Sequence, residues 1–85
     1  MSEIDDIKSI IGELAQDRKI PRNVRAVLEQ AVRELEKDEL PAKTRVNTVI
    51  TMLDEISNDP NLQVFSRTEI WNVVSMLEMI QKDLE

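Results

Sequence analysis

Pro21-Arg22-Asn23-Val24-Arg25-Ala26-Val27-Leu28-Glu29-Gln30-Ala31-Val32-Arg33-Glu34-Leu35 decides the fold. Val24, Val27, Leu28, Ala31, Val32 and Leu35 recur in steps of three and four, which gathers them on one side of an α-helix. Pro21 suits the first turn of that helix, where its missing N–H is no loss. The spacing predicts a helix over 22–37. Downstream, Leu40-Pro41 repeats the device of Ile20-Pro21, and Val46, Val49, Ile50, Leu53 and Ile56 line one face of a helix predicted over 42–57. Each proline is followed four residues later by an arginine, Arg25 and Arg45. The apolar registers after the prolines differ, so the sequence is not read as an internal repeat.

Upstream, Ile4, Ile7, Ile10, Ile11 and Leu14 predict a helix over 3–16. Ser2 serves as its N-cap, and Glu3, Asp5 and Asp6 meet the positive end of its dipole. Gly12 interrupts this helix at a cost of about 1 kcal/mol relative to Ala. Either a close helix crossing needs its missing side chain, or the cost is simply tolerated. Beyond the third helix, Ser57-Asn58-Asp59-Pro60-Asn61 is the strongest turn signal in the chain. Ser66-Arg67-Thr68-Glu69 then has capping-box spacing, and Phe65 and Ile70 stand where a hydrophobic staple puts its apolar pair. A helix over 67–84 is predicted, with Ile70, Val73, Val74, Leu77, Ile80 and Leu84 inward and Trp71, Met76 and Met79 beyond that stripe. The expected fold is all-α, one four-helix bundle over 1–85 with neighbouring helices mostly antiparallel.

Composition agrees with this reading and removes several functions. With 85 residues there is room for one domain, and 41% hydrophobic beside 33% charged residues is a globular balance. One Phe, one Trp and no Tyr leave aliphatic side chains to fill the core, and one Gly with three Pro argues against a β architecture. A net charge of -6 opposes nonspecific nucleic-acid binding. No run approaches the ~20 apolar residues of a membrane span, and the start lacks the pattern of a signal peptide, so a cytoplasmic address is expected. Zero Cys and zero His remove disulfides, thiol chemistry and the usual nitrogen and sulfur metal ligands. No cofactor or small-molecule substrate is implied.

Ile20-Pro21-Arg22-Asn23-Val24-Arg25, Leu53-Asp54-Glu55-Ile56-Ser57-Asn58-Asp59-Pro60-Asn61 and Arg67-Thr68-Glu69-Ile70-Trp71 together resemble a family of short, uncharacterised archaeal proteins of unknown function. The likeness covers most of the chain. It departs at Leu62-Gln63, where family members tend to carry a Pro soon after the matching Asn, which concerns only the shape of that loop. The resemblance implies a compact helical fold and an archaeal cytoplasm, and it supplies no activity or catalytic residues.

Asp54, Glu55, Asn58, Asp59 and Asn61 could in principle surround a hard cation, but EF-hand spacing is absent, and the residue types are those of a helix stop and a turn. No metal site is assigned. Arg18, Lys19, Arg22 and Arg25 form the candidate anion-binding cluster: four cations in eight residues opposed only by Asp17, with Arg22 and Arg25 at the wrong end of a helix dipole. The plainer alternative is a solvated or salt-bridged face. Lys43 and Arg45 break the same rule, but Glu34, Glu36, Asp38 and Glu39 precede them and offer partners. Helical chorismate mutases open a long first helix with a substrate-binding Arg, a pattern missing here. With no His, Cys or Tyr and no carboxylate inside an apolar stripe, the chain is not read as an enzyme.

Trp71, Ser75 and Met79 form a second row on the last helix, away from its core stripe, and are the candidate interface. The expected function is a protein-interaction module that self-associates, most simply as a two-fold homodimer. The competing placement puts Trp71 at the edge of the core. The alternative function is an RNA or phosphate contact through Arg18 to Arg25.

Overall fold

A computed structural model describes residues 3–84. Its helices are α1 (Glu3–Leu14), α2 (Arg22–Leu35), α3 (Ala42–Ile56) and α4 (Val64–Asp83). Each packs on two neighbours, α1 on α2 and α4, and α3 on α2 and α4; among the described residues neither diagonal pair brings Cα atoms within 8 Å. The result is a closed ring of four, 34 Å long and 21 × 20 Å across, one helix length by two helix diameters. Contacts across the ring fix the directions. Asn23 at the start of α2 meets Asp59 just past α3, Gln81 late in α4 meets Asn47 early in α3, and Lys8 of α1 meets Glu36 just past α2. Neighbours are therefore antiparallel.

The stripes predicted from the sequence converge on the centre of the ring. Ile11, Leu28, Val49 and Leu77, one from each helix, have no accessible surface. Burying such a side chain contributes roughly 1.5–3 kcal/mol, so the aliphatic centre is the main source of stability. It contains no aromatic ring. Ile4, Ile10, Val27, Val32, Ile50 and Met76 pack at its margin. Leu84, expected inward, is 38% exposed because α4 ends one residue before it.

The three connectors have one geometry. In each, two successive amides donate to carbonyls three residues back: Gln16 and Asp17 in the first, Glu36 and Lys37 in the second, Asn58 and Asp59 in the third, at 3.1–3.3 Å. Three residues further on, the amides of Ile20, Leu40 and Leu62 close a turn at 3.0–3.1 Å. Pro21, Pro41 and Gln63 follow as N-caps at φ -54, -58 and -67° with ψ 145–149°. Their carbonyls take the first helical bonds from the amides of Arg25, Arg45 and Arg67. The helices do not repeat in register, but the corners do. Gln63 adopts without a ring the backbone that proline imposes at the other two corners, so this corner has the same shape as they do.

The same three arginines secure the corners. Arg25 Nε donates to Ile20 O at 3.0 Å, and Arg45 Nε to Leu40 O at 3.1 Å. Arg45 Nη1 also reaches Leu35 O at 2.7 Å, at the end of the preceding helix. Arg67 does most: Nε to Ser57 O at 2.7 Å, and Nη2 to Asp59 O at 3.3 Å and Leu62 O at 3.5 Å.

Several expectations are corrected. Helices α1 and α2 end two residues early and α3 one residue early, each closing in the turn just described. α4 begins three residues early, at Val64, so Ser66 lies inside the helix, 1% exposed, and is no cap. The capping box is absent: the N-cap is Gln63, and Glu69 Oε1 is buried without a hydrogen-bond partner. The staple is absent too, because Phe65 is 73% exposed while Ile70 is fully buried. A Cβ on Gly12 would meet nothing within 4 Å, which overturns the close crossing and leaves tolerance of the helix cost. Ser2 lies outside the described residues.

Two stability predictions follow from the corner geometry. Arg67→Ala strands carbonyls at the α3–α4 corner and lowers unfolding free energy by about 2 kcal/mol in denaturant titration, as for lost bonds to a charged donor. Ser66→Ala, having no cap to lose, stays within about 0.5 kcal/mol of wild type, whereas a cap would cost about 1 kcal/mol.

Candidate interaction surfaces

The basic cluster divides in two. Arg25 is half-buried and bonded to Ile20 O, so it belongs to the corner. Arg18, Lys19 and Arg22 are exposed, and their side chains make no ion pair or hydrogen bond among the described residues. Arg18 and Lys19 occupy the tip of the first connector, where the second carries Asp38 and Glu39 and the third Pro60 and Asn61. One backbone geometry accepts opposite charges at its tip, so the fold does not require cations there. The pairing expected between the end of α2 and the start of α3 is met only by Arg45, whose Nη1 stands 3.8 Å from Asp38; Glu34 pairs with Lys37 at 2.8 Å and Glu36 with Lys8 at 3.7 Å, and Lys43 makes no ion pair among the described residues. Bonds from Lys37 and Gln30 hold the Glu34 carboxyl below its ordinary pKa.

At the end of the ring that carries the first connector, the oxygen-rich loop is occupied by its own structure. Asp59 accepts from Asn23 Nδ2 at 2.8 Å and from the Asn61 amide at 2.8 Å, bonds that lower its pKa. Asn58 Nδ2 and Ser57 Oγ donate to Asp54 O. Among the described residues no group of three or more acidic side chains is placed to hold a metal ion. No described helix is long and apolar enough to cross a membrane.

The second surface is the outward side of α4. Ser66, Ile70, Val73 and Leu77 bury the inner face. At about 100° per residue, Val64, Thr68, Trp71, Ser75 and Met79 run along the opposite side. Trp71 is 53% exposed, Met79 71% and Val64 74%, with Phe65 at 73% on the flank. This exposure is incompatible with Trp71 at the covered edge of the core. Both aromatic residues of the chain, Phe65 and Trp71, therefore stand on the surface of one helix. The sequence pattern points to Trp71, Ser75 and Met79 but not to Val64 and Phe65, because the predicted helix starts only at 67. Once it starts at Val64, the seven-residue step to Trp71 aligns the two within about 20°.

Comparison with known proteins gives a family and solved relatives. The model of UPF0147, described as an uncharacterised protein family, matches residues 1–80. A UPF0147 protein of Methanocaldococcus jannaschii is 42% identical over 72 residues, covering 85% of this chain and 77% of that one. Another, from Pyrococcus abyssi, is 36% identical, covering 95% of this chain and 100% of that one. The crystal structure of a UPF0147 protein from Thermoplasma acidophilum superposes with a TM-score of 0.88 at 33% identity, covering 92% of each chain. A second crystal structure, of a protein of unknown function, gives 0.85 at 39% identity, covering 89% of this chain and 86% of that one. A corner-built ring of four antiparallel helices and this extent of likeness agree: the chain belongs to the uncharacterised archaeal family UPF0147.

Proposed function

We propose that this protein is a non-catalytic, cytoplasmic interaction module that self-associates through the outward face of α4. One observation carries the reading: a core built without aromatics, and both aromatics exposed on one helix beside Val64 and Met79. Trp, Phe and Met are the residues by which protein interfaces differ from ordinary surface. Exposing them to water has no benefit to the isolated fold. No catalytic step is included.

Sedimentation tests this directly. Wild type is expected to dimerise with rising concentration, and Trp71→Glu to remain a folded monomer with unchanged helical circular dichroism. A dimer that survives Trp71→Glu would place the contact elsewhere.

A second reading is favoured by the free cations at the first connector: Arg18, Lys19 and Arg22 contact an anionic partner such as RNA. Arg25 is left out of that contact because its guanidinium holds Ile20 O. Wild type is then expected to retain RNA at low salt and release it steeply as salt rises, through counterion release. Arg18→Glu with Arg22→Glu abolishes retention without unfolding the domain. Wild type that retains no RNA at any salt concentration would leave these side chains as a solvated tip.

A further inference from the structure

The exposed residues of α4 fix more than a surface, because their order along the helix discriminates among the ways in which two copies can meet. Val64 and Phe65 stand at one end of the outward face, Met79 lies fourteen residues on from Phe65, and Trp71 and Asn72 are at the midpoint. Thr68 and Ser75, both small and exposed, flank that midpoint symmetrically. We infer that two copies pair α4 against α4, antiparallel, about a two-fold axis passing between Trp71 and Asn72. The inference rests on the self-association reading above and specifies its geometry.

In this register Val64 and Phe65 of one copy lie beside Met79 of the other, and Thr68 lies beside Ser75. The two Trp71 rings meet next to the axis on one flank, and the two Asn72 amides on the other. All four strongly exposed apolar side chains of α4 are covered by the other copy. Small residues at Thr68 and Ser75 let the helices approach on either side of the Trp pair, and a Met sulfur against the edge of a Phe ring is a favourable contact. Charges on the face agree: Glu78 falls beside Val64 and Arg67 of the other copy, and Lys82 beside Asn61, so neither meets a like charge.

Other registers do worse on the same residues. A two-fold axis parallel to α4 sets each residue level with its own copy: it brings Lys82, near the centre of the face, to Lys82, and it puts the two Phe65 rings on opposite flanks. An antiparallel axis at Ser75 pairs Trp71 with Met79, but it carries Val64 and Phe65 past Asp83, where α4 ends, and leaves them in water. A single helix pair is a small contact, below the roughly 1,600 Å² of a standard interface, so a weak, concentration-dependent dimer is expected.

The chain has no cysteine, so one introduced thiol reports one position. In the inferred register the two Asn72 residues are offset by about 1.5 Å along the axis and, with helices 8–10 Å apart, bring their Cα atoms to about 6 Å, within disulfide reach. The two Ser75 residues are offset by about 10 Å and the two Met79 residues by about 22 Å, both out of reach. Under mild oxidation Asn72→Cys is expected to form a disulfide dimer, while Ser75→Cys and Met79→Cys alone do not. An equimolar mixture of Thr68→Cys and Ser75→Cys should give the mixed disulfide. Wild type that sediments as a dimer, with cross-linking at Met79→Cys or none at Asn72→Cys, overturns this geometry and leaves self-association standing. Wild type that is monomeric at every concentration, with no variant cross-linking, overturns both.

Discussion

The fold depends on how three helices are ended in a chain with one glycine. A helix leaves its last four carbonyls without intrahelical partners, and the common solution is a left-handed residue, usually glycine, just past the end. That solution is not used here: among the described residues no φ is positive, and the caps after α2 and α3, Glu36 and Ser57, are right-handed. Turns of the i to i-3 kind take some of the orphan carbonyls, and guanidinium groups take others. Arg45 holds Leu35 O, and Arg67 holds Ser57 O, each from the first turn of the next helix. One side chain thus closes the preceding helix and fixes the entry of its successor. Because each arginine also bonds the carbonyl just before the N-cap, it locks the path between the helices, and the ring closes with α1 against α4.

This device explains which parts of the structure were legible in the sequence. The stripes of α2 and α3 were, since steps of three and four depend only on helix geometry, and the core lies where they point. The arginines were seen in part. Arg25 and Arg45 each stand four residues after a proline, but Arg67 follows Gln63, and only the backbone shows that Gln63 stands in the same place. The start of α4 was misplaced for the same reason. A serine three residues before a glutamate outweighed an extended residue with no proline to mark it. The local rule lost to the corner: Gln63 already supplies the N-cap backbone, and Ser66, on the inner face, serves as a small residue against the core.

Separating what the fold requires from what it does not also sorts the cations. Arg25, Arg45 and Arg67 are required, and their dipole penalty at helix starts is offset by carbonyl bonds. The tips are not: Arg18-Lys19, Asp38-Glu39 and Pro60-Asn61 occupy equivalent places in equivalent turns. Four cations in eight residues are thus three free side chains and one structural one. An anionic partner would meet those three, carried at the end of the ring where the Asn23–Asp59 bond ties two corners together.

The outward face of α4 raises the opposite problem, apolar residues where the fold has no use for them. A small domain gains most from putting its largest apolar side chains inside, and an aromatic buries more area than any aliphatic. Here Ile, Val and Leu fill the centre, and the two rings face water with Val64 and Met79 around them. The centre of a ring of four narrow helices is already closed by aliphatic side chains with no accessible surface. Inserting a ring into such packing forces strained rotamers or moves a helix. Packing thus accounts for the absence of aromatics inside, but not for their presence outside, since a polar residue would serve α4 equally well at 71 or 65 as far as this chain alone is concerned. What distinguishes these positions is their order along the helix, symmetric about Trp71 and Asn72, and it is this symmetry that the proposed pairing of two α4 helices uses.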